Sequence, residues 1–316
     1  IYTNKSDFFH KFVLLNINKR SIMKAETRLF FKIKIWVVKK MIFYKNKWSM
    51  FSIIFYWILS IVMILNYIHY HLSTGHFGGA EGGIPLFYEI IFSANQIMDA
   101  VYGFVAFMIP PLFFSHECIR QRITHYDYLQ SVRLQHKRTF FSPLLSKQFK
   151  TNFIIIYFVF LVKMFLQAIL VHLFYSPFIF EESSPYLTWS FTINFSTNSF
   201  VNLICTIVII PLGYAIFYSF VFSVGLFLKR YIIYLCSGLL LVIISLLLAM
   251  VIGGISPIVG YSICVLSLIQ PGMYTLLAET ISHSAWVIFV YPAIFYSLLT
   301  ILLLIIRRKM DLKEGY

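Results

Sequence analysis

Residues 232–252 read IIYLCSGLLLVIISLLLAMVI and contain no charged side chain. A helix of this length, rising 1.5 Å per residue, reaches across the ~30 Å hydrocarbon core of a bilayer. The rest of the 316-residue chain has the same character, with 59% hydrophobic and 12% charged residues. Soluble domains carry about 25% charged residues. The sequence therefore predicts an all-α integral membrane protein rather than a soluble enzyme.

Six apolar stretches are long enough to cross a membrane. They lie at residues 50–67, 93–114, 153–174, 201–228, 232–252 and 285–306, and together form one predicted membrane domain over residues 50–306. A further apolar stretch at 258–278 contains Pro271 and Gly272, which interrupt long helices. This stretch is predicted to be a re-entrant hairpin that enters the outer leaflet and returns to the same side.

Lysine and arginine are distributed unevenly along the chain. Of the 26, twelve lie in residues 1–49, seven in 117–150 and four after residue 306, whereas the connections 68–92, 175–200 and 253–284 contain none. Cytoplasmic loops collect Lys and Arg, so this alternation predicts six spans with both termini in the cytoplasm. The net charge of +14 is thereby explained by topology and does not indicate binding to nucleic acid.

The first 49 residues fall into two predicted parts. Residues 1–22 lack the apolar segment of a signal peptide and are predicted to be a basic tail, or sequence upstream of a true start at Met23. Residues 23–49 are predicted to form an interfacial helix on anionic lipid, with basic and apolar residues on opposite faces. The basic face consists of Lys24, Arg28, Lys32 and Lys39. The apolar face consists of Phe30, Ile33, Val37 and Met41. At the other terminus, residues 307–316 are predicted to be a cytoplasmic tail.

The connection at 117–150 is longer than two adjacent spans require. Apolar residues recur there at three-residue steps, at Ile123, Tyr126 and Leu129, which is typical of an amphipathic helix. One interpretation is a helix that docks a cytoplasmic partner. The other is a solvated basic loop held by lipid headgroups.

The order of these features resembles the permease subunits of ABC exporters of the second type, over roughly residues 24–310. That family has an elbow helix before span one, a long cytoplasmic loop after span two, a very short loop between spans four and five, and re-entrant helices before span six. Its long loop begins with a Glu, continues through a Leu-x-Ser turn and ends on a Lys. Glu117, Leu129-Gln130-Ser131 and Lys147 or Lys150 match here, while the family's glycine after the Glu and proline after the Ser are missing.

The resemblance implies that the loop 117–150 is the coupling helix seated in a separate ATPase. The implied docking residues are Glu117, Arg122, Tyr126, Leu129 and Ser131. No phosphate-binding loop of the form GxxxxGK[ST] occurs in the chain, so ATP and magnesium are expected to be bound by the partner and no cofactor by this chain. The resemblance also implies a second permease copy or a sister permease.

Two intramembrane features are candidates for the transport path. Lys163 lies in the middle of the third predicted span, and Asp99 in the second is the acid that could reach it. A charged residue at that depth is expected to face a cavity or the bundle interior, as a substrate contact or as a structurally paired or snorkelling lysine. Pro211 and Gly213 in the fourth span are predicted kinks and candidate hinges.

No metal site or disulfide is predicted. The four cysteines show no CxxC or zinc-ligand spacing, and the histidines His69, His71 and His76 are expected to be ordinary interfacial residues.

The predicted function is therefore export of a hydrophobic or amphipathic cargo, such as a peptide antibiotic, toxin or drug, across a bacterial plasma membrane. Two alternatives remain at this point. One is an ion-coupled carrier that uses Lys163 and Asp99, although no inverted repeat is visible. The other is a membrane assembly or sensor subunit without flux.

Overall fold

The computed structural model describes residues 47–74, 83–92, 107–113, 115–123, 141–180, 195–196, 198–271 and 285–313. The chain separates into two units, Ile1–Trp48 and Ser49–Tyr316, and the helix bundle belongs to the second. The predicted tail 1–22 and nearly all of the predicted elbow 23–49 lie outside the described residues.

Within the described residues, all regular structure is helical. The helices, numbered in chain order, are α1 Lys47–Thr74, α2 Gly83–Phe92, α3 Ser115–Ile123, α4 Phe141–Phe174, α5 Ser199–Gly225, α6 Tyr231–Gly253, α7 Pro257–Ile263, α8 Val265–Ile269 and α9 Ala285–Lys313. A short 3₁₀ turn, Pro110–Leu112, precedes α3. A helix satisfies all its backbone hydrogen bonds internally, which is why apolar segments of this composition adopt it in lipid.

Five of the described helices are long and apolar enough to span a membrane. Their spanning portions are Ser49–Ser73, Ser146–Phe174, Ser199–Gly225, Tyr231–Gly253 and Ala285–Met310. They correspond to five of the six predicted stretches and confirm a multi-pass helical membrane protein. Most of the remaining stretch, 93–114, lies outside the described residues.

The helix ends differ from the predicted boundaries. Helix α1 continues beyond the predicted end at residue 67 to Thr74. Helix α4 begins at Phe141, inside the predicted loop 117–150, and α3 occupies Ser115–Ile123 of the same region. Hydropathy marks only the segment that suits lipid, and a helix continues into the interface where its polar end residues are tolerated.

Helix α5 lies at the centre of the bundle. Of its apolar window 61% is buried, against 28% for α6 and for α9, and it packs against α4, α8 and α9. Its first turn is capped by Asn198, whose side-chain oxygen accepts hydrogen bonds from the backbone N–H groups of Phe200 and Val201. The outward faces of α6 and α9 carry exposed aliphatic side chains, as expected for helices that face lipid.

The stretch predicted to be re-entrant contains the two short helices α7 and α8, separated at Cys264, whose φ of −69° and ψ of 115° are extended. Neighbouring helices satisfy the backbone groups near this break. The Tyr296 hydroxyl donates to the carbonyl oxygen of Ile263 at 2.5 Å, and Ser245 Oγ accepts from the Val265 N–H at 3.3 Å. Protein contacts thus satisfy backbone groups that the interrupted helix leaves without helical partners. The re-entrant path of this stretch stays a prediction.

Candidate functional site

The two ends of the bundle differ in charge. At one end, called here the basic end, four contacts join neighbouring segments. They link α1 to the 3₁₀ turn, α3 to α6, α3 to α4, and α9 to the turn after α5. These contacts join Ser49 to Phe113, Tyr234 to Ser115, Cys118 to Gln148, and Arg307 to the ring of Phe227. Exposed cations at this end include Arg120, Lys147, Lys150, Lys229 and Arg230. The described residues of the opposite end contain no Lys or Arg.

Helix α3 is held at the basic end by two side-chain contacts. The Tyr234 hydroxyl of α6 donates to Ser115 Oγ at 2.5 Å, and the Cys118 thiol lies 2.9 Å from Gln148 Oε1 of α4. Tyr234 is buried, so its hydroxyl needs a partner of this kind. Because α3 is bound to two different long helices, a displacement of α3 reaches both.

The end of α5 and the start of α6 pack against the apolar side of α3. Ile119 of α3 is fully buried. A Cβ atom at Gly225 would lie 2.5 Å from the Tyr234 ring and 3.3 Å from Ile119 Cδ1, so a larger residue would push the ring and the α3 side chain away. Glycine at the end of α5 therefore permits the close packing of α3, α5 and α6.

The predicted docking residues are only partly described. Glu117 and Arg122 lie on α3, and Arg122 is half-buried while its neighbour Arg120 is exposed. Tyr126, Leu129 and Ser131 lie outside the described residues. The contacts of Ser115, Cys118 and Ile119 were missed by sequence reasoning, because their partners lie far away along the chain.

The opposite end is organised by three amide side chains, which belong to α4, to α5 and to the residue that follows α8. Gln167 of α4 donates to the carbonyl oxygen of Phe87, and Gln270, which follows α8, donates to that of Ile91, at 3.0 and 2.8 Å. Asn202 of α5 donates to the Tyr88 hydroxyl at 2.8 Å. Together these amides bind α2 to the bundle. The sequence contains no pattern that would have indicated this arrangement.

Tyr88 is the titratable residue among these hydrogen-bonded contacts of α2. Burial raises the pKa of its phenol to about 12, and hydrogen bonds from Thr206 and Asn202 oppose that rise in pKa. The Tyr88 hydroxyl therefore stays protonated at neutral pH and keeps its hydrogen bond with Asn202.

The predicted intramembrane residues are placed as follows. Lys163 is half-buried on α4, and Asp99 lies outside the described residues. Pro211 is buried within α5, which continues through it as one helix. Gly213 faces α8, where a Cβ atom would lie 2.1 Å from the carbonyl oxygen of Leu268. Gly213 is thus a point of close helix packing, and its predicted role as a hinge stays a prediction.

These features define the chain as a multi-pass helical membrane protein with a basic end and an opposite end free of Lys and Arg in its described part. Comparisons with protein-family models, curated proteins and solved structures find no match to this chain.

Proposed function

We propose that the chain is the membrane permease subunit of an ABC exporter of the second type, in a bacterial plasma membrane. Its basic end faces the cytoplasm, in agreement with the preference of Lys and Arg for that side. A separate ATPase docks there and binds ATP and magnesium. A second copy of this chain or a sister permease completes the path for a hydrophobic or amphipathic cargo.

The observation that carries this proposal is the way in which α3 is attached to its neighbouring helices. Helix α3 begins directly after the 3₁₀ turn and is joined to α6 through Ser115 and Tyr234 and to α4 through Cys118 and Gln148. A loop that only connected the second span to α4 would not need a buried contact to a further helix such as α6. Arg120 is exposed on the same helix.

In the proposed mechanism, closure of the ATPase displaces α3 as a rigid body. The contact at Tyr234 passes the displacement to α6, and the contact at Gln148 passes it to the start of α4. Packed helices respond to such a push by discrete rigid-body shifts rather than by continuous deformation. The shift closes the cavity on the basic side and opens it on the opposite side, where α2 lies.

The proposal is tested by purifying the chain in mild detergent and identifying what accompanies it. We expect a phosphate-loop ATPase to be recovered with the wild-type chain and lost with the double variant Glu117→Arg, Leu129→Asp. The matched control is Arg308→Glu, Lys309→Glu, which changes exposed charges at the same end but on α9. If no ATPase accompanies the correctly folded wild-type chain, or if the control loses it equally, the proposal is wrong.

A further inference from the structure

Cations from two elements meet at the basic end, where α5 ends. The Arg307 guanidinium of α9 lies 5.8 Å from the centre of the Phe227 ring, in the turn that follows α5. Lys229 and Arg230 follow in the same turn, and both are exposed. Because each residue extends the chain by at most ~3.6 Å, the Cα atom of Lys229 lies within about 7 Å of that of Phe227. Arg307, Lys229 and Arg230 therefore form one patch, called here the turn patch.

The turn patch carries a net positive charge. Residues 199–253, which comprise α5, α6 and the turn between them, contain no Asp or Glu. The described acids of the basic end are Glu117 on α3 and Asp311 on α9, and residues 307–313 of α9 still contain four Lys or Arg against that one acid. The positive end of the α6 helix dipole lies beside Arg230, the N-cap residue, and adds to this field. The patch therefore attracts a negatively charged group.

The surroundings of the turn patch indicate what kind of anion fits it. Exposed aliphatic side chains follow the patch directly on α6 and precede it directly on α9, namely Ile232 and Ile233, and Ile305 and Ile306. Both helices are long and apolar enough to span a membrane, so these side chains face acyl chains. The cations next to them lie at the level of the lipid head groups. A phospholipid meets the charges and the apolar surface at once, whereas a partner approaching from the water meets only the charges.

We propose that the turn patch binds the phosphate of one anionic phospholipid, whose acyl chains lie against α6 and α9. Lys229 and Arg230 contact the phosphate oxygens, and Arg307, seated on the Phe227 ring, supplies a further charge. Basic pockets beside the ends of transmembrane helices bind anionic head groups in this way. The lipid thus joins the end of α9 to the turn between α5 and α6. This inference goes beyond the proposed function and does not need an ATPase.

The site is tested by native mass spectrometry of the full chain in mild detergent, titrated with dioleoylphosphatidylglycerol. We expect the wild-type chain to bind a first phosphatidylglycerol more tightly than further ones, and more tightly than dioleoylphosphatidylcholine. The double variant Lys229→Gln, Arg230→Gln should lower the affinity for this first lipid by about tenfold or more, because each Lys or Arg near an anionic lipid contributes roughly a factor of five.

Two matched variants separate the site from general electrostatic attraction and from folding. Lys147→Gln, Lys150→Gln removes two exposed charges of α4 at the same end and should leave the affinity for the first lipid unchanged. Lys229→Arg, Arg230→Lys keeps both charges and should keep the lipid. Equal losses in the two glutamine variants would show that the basic end attracts anionic lipid without a site, and would overturn the proposal. Equally tight binding of phosphatidylcholine would overturn it as well.

The class of ligand is tested by competition with glycerol 1-phosphate, which carries the phosphate without acyl chains. It should not displace the first phosphatidylglycerol, and displacement would show a site for free phosphate rather than for a lipid. If Lys229→Gln, Arg230→Gln keeps the lipid but loses an ATPase that accompanies the wild-type chain, the patch is a protein contact and the proposal is wrong. Absence of an ATPase from the wild-type chain refutes the proposed function without touching the lipid site, and loss of the lipid site leaves the proposed function standing.

Discussion

Gly213 shows how one residue sets the distance between two elements. A methyl group there would lie 2.1 Å from the carbonyl oxygen of Leu268 and 2.9 Å from its carbonyl carbon, and both are backbone atoms that cannot rotate away. Sequence reasoning singled out Gly213 together with Pro211 as a kink or hinge. It could not show that the glycine is needed for packing, because Leu268 lies on a different, short helix.

We expect Gly213→Ala to destabilise the protein by about 1–3 kcal/mol, the usual cost of forcing extra atoms into a packed interior. The measurement is the thermal unfolding midpoint of the detergent-solubilised protein. Gly254→Ala is the matched control, because the nearest atom to a Cβ atom at Gly254 is 3.7 Å away and there is room for it. An equal midpoint for the two variants would contradict the close approach of α5 and α8.

At the scale of elements, α3 depends on its anchor to α6. Tyr234→Phe removes the hydrogen bond to Ser115 and leaves the ring packing unchanged, which should cost about 0.5–1.5 kcal/mol. We expect faster amide hydrogen exchange within Ser115–Ile123, by up to about tenfold, because each 1.4 kcal/mol of local stability corresponds to that factor. Tyr291→Phe, on the exposed side of α9, should leave this exchange unchanged. Unaltered exchange in Tyr234→Phe would show that the anchor does not hold α3.

The attachment of α2 to the bundle can be tested in the same way. Gln270→Leu leaves the Ile91 carbonyl oxygen without its donor, and amide exchange within Gly83–Phe92 should accelerate. Gln148→Leu, at the basic end, changes the same residue type and should affect α3 but not α2. If both variants leave α2 equally protected, the Gln270 amide does not bind it.

Hydropathy predicted the described spans because length and apolar composition are sufficient to select a transmembrane helix. It did not predict α2, whose ten residues are too few for a membrane window and include Gly83 and Pro85. What fixes α2 is tertiary: amides from α4, α5 and the end of α8 converge on it. The same limit applies to the candidate site. Ser115 and Tyr234 are separated by 119 positions, and no local pattern relates them.

At the scale of the whole molecule, the described structure turns a pattern of charge along the sequence into a pattern in space. Side-chain contacts bring together the start of α1, α3, the start of α4, the turn between α5 and α6, and the end of α9. Apart from Lys163, the Lys and Arg residues of the described part of the chain lie in these segments.

The orientation of the molecule is the property on which every proposed role depends, and it can be measured directly. We expect cysteines at Lys229→Cys and Lys309→Cys to be labelled by a membrane-impermeant maleimide only after the cells are opened. Cysteines at Ser73→Cys and Phe180→Cys, exposed near the opposite end, should be labelled in intact cells. The physical reason is that moving the Lys and Arg side chains of the basic end across the membrane is unfavourable, whereas the described residues of the opposite end carry none. The reverse pattern would place α3 outside the cell, where no ATP is available. It would rule out docking of an ATPase on α3.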